Sequence, residues 1–595
     1  VSGVSSGYSV STGNEKGYSG GFIGECISGR ARDTKISNLK TVTATATSGK
    51  AGGFAGFAKA GDALSAGDST TSKLTGIELE NLLGVVSALR PEFNNTSIAY
   101  VSNGNDPQVS ADMAGGFVGD GQAVDINYGN NNSGFKADTD TNSSSNESTG
   151  EKNSEETDFI SADTNSEDET AEGETGAIAT TKITGLSYIK GTSYAGGFAG
   201  RLMPGDVAQT GSIKLLGLLN VTQLLSVMDV AYPRISDSSI EGDSLVVTAS
   251  GKNDDVALGD AGGYIGNGKA VRVKNSDVTN VKKVTAPYHA GGYIGIMRSG
   301  SAAEAGDATG DLLNSVLGKI LSLKELASVL QAASSKITNC KVSGIKKENE
   351  GLTVIADRGS DNAEGYAGGF VGEMQSGHVD NSANAVDSGK GTAVENLLKV
   401  EGLRYAGGFG GLVKAGAVAE IGAKSSILTK VVDLTGLLSL VNAFVPVISN
   451  ASVNSVEKGF TVTVTGTLEK DSTNDQDTGS AGGFIGCGTG VQISNSDVNK
   501  LQHTRVSEPK NLQQEDGSSY YGNNSAYAVS GYRYAGGYIG KAAMGSTAAI
   551  GGASVLDKVL SASNLLSALT VVASIIESSD VYGATGGFNV LATDG

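Results

Sequence analysis

Few side chains in this 595-residue sequence are of the types that do covalent chemistry. The string Gly17-Tyr18-Ser19-Gly20-Gly21 has the Gly-x-Ser-x-Gly spacing of a nucleophile elbow, which would place Ser19 on a tight turn as an acyl-transfer nucleophile. That chemistry needs a histidine and a carboxylate behind the serine. The chain has only three histidines, His289, His378 and His503, and no HExxH or Walker string. His289 stands at the variable position before Ala-Gly-Gly, where surface exposure is expected. Sugar cleavage would need two carboxylates converging in a groove, with Asp260, Asp277, Asp380 and Asp497 as candidates. Asp277 and Asp497 recur in the string Asn-Ser-Asp-Val, and Asp62, Asp206 and Asp307 recur after glycine. Recurrence of that kind points to turns and caps rather than to one active site. Cys26, Cys340 and Cys487 are odd in number, far apart and in no CxxC pair, which excludes a disulfide framework and a zinc site. The sequence nominates no catalytic residue, no metal ligand and no cofactor, and the expected chain is not an enzyme.

Ser19 belongs instead to a repeat. Strings of the form x-Ala-Gly-Gly-aromatic-x-Gly begin at 18 (with Ser19 for Ala), 50, 113, 194, 260, 289, 366, 405, 480 and 534, and a frayed copy, ATGGFNV, occupies 584–590. Their glycine–aromatic pairs are Gly21-Phe22, Gly53-Phe54, Gly116-Phe117, Gly197-Phe198, Gly263-Tyr264, Gly292-Tyr293, Gly369-Phe370, Gly408-Phe409, Gly483-Phe484 and Gly537-Tyr538. The copies alternate in context. Odd copies are followed by a polar turn and an alternating strand, as in GNGKAVRVKNSDVTNVKKVTA (266–286). Even copies are followed by small residues and a long apolar segment, so the true repeat is a double unit present about five times.

The shortest interval, from Gly263 to Gly292, is 29 residues and suits one solenoid coil of three short strands with turns. The apolar segments at 77–89, 215–230, 312–332, 427–445 and 555–576 have spacing that predicts helices, three of them stopped by Pro91, Pro233 and Pro446. The expectation is a mainly β, right-handed parallel β-solenoid of about ten coils with five flanking amphipathic helical insertions. On one extended strand the aromatic and its neighbouring glycines share a face, and that face is expected to receive the helices. Stacked copies would put the ten aromatics in a ladder. The organisation reads as one continuous array over 1–595: a first double unit at 18–112, a coil at 113–128, an acidic low-complexity insertion at 129–181 and a second unit with its helix at 182–259. Units at 260–365, 366–479 and 480–595 follow, the last carrying the frayed copy.

Composition narrows the function classes. Glycine is abundant (87) without a Gly-X-Y period, Trp is absent, and charged residues make up only 18%. Of the net charge of −19, residues 137–176 contribute −12, from thirteen acids against Lys152, so the rest of the chain is nearly balanced. No basic stripe is present to neutralise phosphates, so nucleic-acid binding is not expected. The 129–181 stretch is too polar to repay ordering. It has no EF-hand pattern for calcium. No run of about 20 apolar residues could span a bilayer, and no signal peptide opens the chain, which reads as a processed product or a segment of a larger protein.

The strings GGFIGCGTGVQISNSDV, GGYIGNGKAVRVKNSDV and ITNCKVSG (337–344) resemble the GLUG-type repeats of bacterial surface proteins. The resemblance covers about ten short segments, and the chain departs from it in using Phe or Tyr where Leu is commoner. It implies an extracellular module on a bacterial surface or cell wall. The expected function is a stalk, adhesin scaffold or self-assembling filament subunit, with itself or adjacent repeats of a longer chain as partner. Host or microbial glycans or proteins are the other partners to expect, on inserted loops, and the tyrosine-rich stretch with Tyr520, Tyr521, Tyr527 and Tyr532 is the best loop candidate. The alternative is a polysaccharide-binding or polysaccharide-cleaving β-helix protein.

Overall fold

The structure is a computed structural model. It describes residues 1–13, 17–61, 89–128, 180–205, 230–251, 258–300, 331, 333–347, 350–357, 365–384, 390–416, 445–466, 479–502, 512–513, 519–520, 527–545, 573–584 and 587–593.

The coil that starts at Asp260 shows how the repeat folds. Asp260–Gly262 and Ile265–Lys269 are two short strands separated by a bend at Gly263 and Tyr264, so the motif is not the single extended strand expected from its alternation. Arg272–Lys274 follows, then a corner at Asn275, then the longer strand Asp277–Ala286. His289–Gly291 opens the next copy. Each of these strands pairs in parallel with its equivalent one copy earlier and one copy later. The chain therefore winds in stacked coils, the strand order of a parallel β-solenoid. The second motif strand of all ten copies forms one ten-stranded parallel sheet, from Ile23–Ile27 to Ile539–Ala543.

Local chemistry sets both bends. At Gly263 a Cβ would overlap the Gly292 carbonyl oxygen of the next coil, and at Gly266 it would collide with backbone of Gly200 and Ala195. The paired glycines thus let neighbouring backbones touch. The opposite corner uses the left-handed conformation. Asp33, Asn95, Asn127, Asp237, Asn275, Asn339, Asn450 and Asn495 have φ between 48° and 59°, a region that Asn and Asp tolerate better than other side chains. Their amides tie coil to coil: Asn275 Nδ2 donates to Asp237 Oδ1 at 3.1 Å, and Asn95 Nδ2 donates to Asp33 Oδ1 at 2.6 Å.

The ten motif aromatics form one column along the interior. All nine successive ring pairs, from Phe22–Phe54 to Phe484–Tyr538, are stacked with centroids 4.8–5.1 Å apart. The eight rings from Phe54 to Phe484 are fully buried. Tyr293 Oη donates to the Ser276 carbonyl at 2.8 Å and Tyr538 Oη to the Ser496 carbonyl at 2.6 Å, which accounts for tyrosine at two of the rungs. Apolar residues of the facing wall approach the glycines. A Cβ at Gly292 would meet Leu352, at Gly369 Leu397 and at Gly408 Phe460.

This packing corrects the expectation of five flanking helices. Among the described residues the architecture is strands with one 3-10 turn at Ser382–Asn384; α-helical conformation is confined to residues 89, 230–231, 331 and 333, and no α-helical element is formed. The glycine-flanked aromatic face points into the coil and is covered by the facing strand, so no surface is left there for a helix to bury. Nearly all residues of the five apolar segments lie outside the described set, as do 129–179 of the acidic stretch. What is described is where the five interruptions begin and end. In three of them the two ends are hydrogen-bonded through the backbone: Gly61 N–H to Leu89 O at 2.9 Å, Gly205 to Ala231 at 2.8 Å and Gly300 to Ala333 at 2.8 Å. In the fourth, Gly416 leaves after Gly410–Lys414 and the chain re-enters at Val445 before Val447–Ser449. In the fifth, the chain leaves after Ile539–Ala543 and re-enters before Ile575–Glu577, where Ser574 Oγ donates to the Ala543 carbonyl at 2.8 Å. All five leave after the second motif strand of alternate coils and return just before the next wall.

Candidate functional site

Of the chemistry-bearing residues singled out in the sequence, the structure brings together, among the described residues, only Asp260 and His289. Ser19 is buried and its hydroxyl donates to the Thr43 carbonyl at 2.7 Å, which uses the group structurally. Asp277 accepts from the Lys341 N–H at 2.8 Å, and burial raises its proton affinity despite that bond. Asp380 accepts from Ser382 N at 3.1 Å and Asn450 Nδ2 at 3.2 Å, and Asp497 pairs with Lys390 at 2.8 Å. These three acids are turn and ladder residues of separate coils. Cys26, Cys340 and Cys487 are buried free thiols, and burial pushes the Cys340 thiol up to about 12. Tyr520 falls on a two-residue antiparallel pair, Tyr521 lies outside the described residues, and Tyr527 and Tyr532 are half-buried.

Asp260 and His289 stand elsewhere, in a feature the sequence reading missed. The residue before Ala-Gly-Gly and the third residue of the second motif strand face each other across the thin glycine-lined layer, coil after coil. The first column runs Tyr18, Lys50, Met113, Tyr194, Asp260, His289, Tyr366, Tyr405, Ser480, Tyr534. The second runs Glu25, Phe57, Asp120, Arg201, Asn267, Ile296, Glu373, Leu412, Cys487, Lys541. Two charge clusters form between them.

The first cluster centres on Asp120, whose side chain is fully buried. Arg201 donates to it in a fork, Nε to Oδ1 at 2.9 Å and Nη2 to Oδ2 at 2.8 Å, and Lys50 Nζ lies 2.6 Å from Oδ2. Burial alone would raise the Asp120 carboxyl, but Arg201 and Lys50 outweigh it and hold it below the usual carboxylate range. Lys50 also sits 3.3 Å from the centroid of the Phe57 ring.

The second cluster centres on His289, which is 2% exposed rather than at the surface as expected. Its Nδ1 lies 2.7 Å from Asp260 Oδ1 and its Nε2 lies 3.0 Å from Glu373 Oε2. Asn267 Nδ2 donates to Asp260 Oδ2 at 2.8 Å, and Lys414 Nζ reaches Glu373 Oε1 at 2.9 Å. Burial pushes Glu373 up, but His289, Lys414 and Arg298 together hold it well below the usual range. Both clusters span several coils; Asp120, Asp260, His289 and Glu373 are buried in them, while Arg201, Lys414 and Arg298 reach in from partly exposed positions, and the groups cross-link strands. The legible signal was opposite charge at one repeat position in neighbouring copies, such as Asp120 before Arg201.

A third group occupies the next corner. Arg90 is buried 3.3 Å from Asp125, Arg234 reaches the same carboxylate at 3.0 Å, and Arg234 stacks 4.5 Å from the Tyr128 centroid. Burial lowers Arg90 to about 10 despite Asp125. Arg272, Lys336 and His378 follow in register, and burial with the Lys336 charge brings His378 down to about 4. No group of three or more His, Cys, Asp or Glu residues among those described could hold a metal ion.

No family model matches the chain, and no curated protein or solved structure is detectably similar to it.

Proposed function

We propose that this chain is a structural repeat module, a stiff β-rod acting as a stalk, scaffold or filament subunit outside the cell. The observation that supports this reading best is the unbroken column of stacked rings. It passes through ten coils with an aromatic ring at every rung, eight of the ten fully buried. Each buried aromatic brings well over 100 Å² of apolar surface, and the motif strands pair in parallel in constant register from coil to coil. The resemblance of the repeat strings to GLUG-type repeats supports placement on a bacterial surface. The interruptions that leave one corner of alternate coils recur about every 10 Å along the axis, a spacing set by two strand separations. A rod that holds variable segments in a line is a scaffold, and binding to glycans or proteins belongs on those segments.

Negative-stain microscopy with light scattering over a concentration series tests this. Rods with a coil axis of roughly 50 Å are expected, from ten coils at about 4.8 Å each. Compact spheres or flexible strings of density would overturn the reading. Lengthening with concentration would select the filament subunit over the monomeric stalk.

A further inference from the structure

We propose that His289 is an imidazolium clasp, so that the central coils take up a proton when they fold. The geometry carries the argument. Both ring nitrogens face carboxylates, Nδ1 toward Asp260 and Nε2 toward Glu373, at 2.7 and 3.0 Å. A neutral imidazole has one N–H, so either tautomer would set a lone pair against a buried carboxylate oxygen. With Asp260 and Glu373 both ionised, as the Asn267 amide on one and Lys414 and Arg298 on the other favour, only the doubly protonated ring satisfies both sides. With the ring 2% exposed, water cannot relieve the mismatch.

The surroundings fit a cation held between two anions. The strand Asp260–Gly262 contributes Asp260, and Ile265–Lys269 contributes Asn267, which occupies the second oxygen of Asp260. Ile294–Arg298 contributes Arg298, 3.5 Å from Glu373 Oε2, and Gly410–Lys414 contributes Lys414 on Oε1. Tyr366–Gly368 places the Tyr366 ring edge-on to His289, at 5.3 Å between centroids. Tyr194 and Arg201 lie one coil earlier, and Tyr194 feels the Asp260 charge. On the strand preceding His289, Lys282 is exposed and Lys283 half-exposed. Two carboxylates thus share three cations once His289 is protonated. Asp260, His289, Glu373 and Lys414 sit in four successive coils, so the clasp ties that stretch along the axis.

The sign of the linkage follows. An unfolded histidine loses its proton above about pH 6.5, whereas the clasped ring keeps it, so the contribution is complete below that pH and declines as pH rises. His378 is the internal opposite: buried beside Lys336 and neutral, it destabilises the fold as pH falls from about 6.5 toward 4.

With only three histidines in the chain, ¹⁵N-histidine labelling and long-range ¹H–¹⁵N correlation read the ring states directly, with His378→Gln and His503→Gln giving the assignment. At pH 8 the expected result is two imidazolium-type nitrogens for His289 and a neutral ring for His378. A neutral His289 in the folded chain at pH 7 to 8 would overturn the proposal. The local opening constant of 289–298, read by hydrogen exchange, should rise up to about tenfold per pH unit somewhere above pH 6.5, against a flat response in 480–489, where Ser480 and Cys487 replace the charges. The same slope in both segments would also overturn it. Glu373→Gln keeps the histidine signal and should bring its deprotonation to lower pH; an unmoved titration counts against the clasp. Rod length in microscopy is independent of every one of these readouts.

Discussion

The aromatic column and the polar column pass through the same ten coils, yet they follow opposite rules. In the aromatic column the residue type is nearly constant and each ring is stacked on a Phe or Tyr neighbour at 4.8–5.1 Å. In the polar column the type changes at almost every step, and a residue makes sense only with the one across from it a coil away, as Asp120 does with Lys50 and Arg201. The difference teaches that a stacked repeat has two ways to bind its layers. Apolar stacking is additive and tolerates exchange of Phe for Tyr. Buried charge is specific and penalises any loss of a partner, because the remaining group is stranded away from water. The first supplies cohesion, and the second sets which coil lies on which.

Several substitutions sharpen this contrast, each best read by hydrogen exchange because repeats open locally. Phe370→Ala in the centre of the ring column should cost about 4 kcal/mol and lower protection in the coils on both sides. Asp120→Asn should cost about 3 kcal/mol, by leaving Lys50 and Arg201 facing an amide. Its effect should vanish in acid. The folded Asp120 carboxyl is held low, so the stability it contributes is present above its unfolded value of about 4 and is lost as pH falls through the folded value. Asn275→Ala, at φ 49°, should cost about 1 kcal/mol, while Asn275→Gly should cost less. Tyr293→Phe should be the mildest, near 1 kcal/mol or below, from the lost bond to Ser276. A polar-column substitution with no effect at neutral pH would remove the distinction between the two columns.

Much of the stacking was legible. The recurrence of Gly-Gly-aromatic at fixed register marks every rung, and the Asn-Ser strings mark the left-handed corner, because only a few residue types suit those backbones. The burial of His289 was not legible. A varying position in a repeat reads as surface, but in a layer lined by glycines the backbones touch and both sides of the strand are interior. The bend at Gly263 and Tyr264 was missed for a related reason: alternation cannot distinguish one strand from two that meet at glycines. That error turned the aromatic face outward and created a place for helices that the facing strand, with Leu352 and Leu397, already fills.

The alternation of short and long coils has a mechanical consequence. Interstrand hydrogen bonds between coils run along the rod, so tension applied between its ends loads them directly and peels coils singly instead of shearing a whole sheet. Each detached coil would release the contour length of its own residues. The 29 residues from Gly263 to Gly292 give about 100 Å, and the 77 from Gly292 to Gly369 about 260 Å. A force–extension trace should therefore show unequal steps in an order written by the chain, and the rod would yield to load as a graded extensible tether.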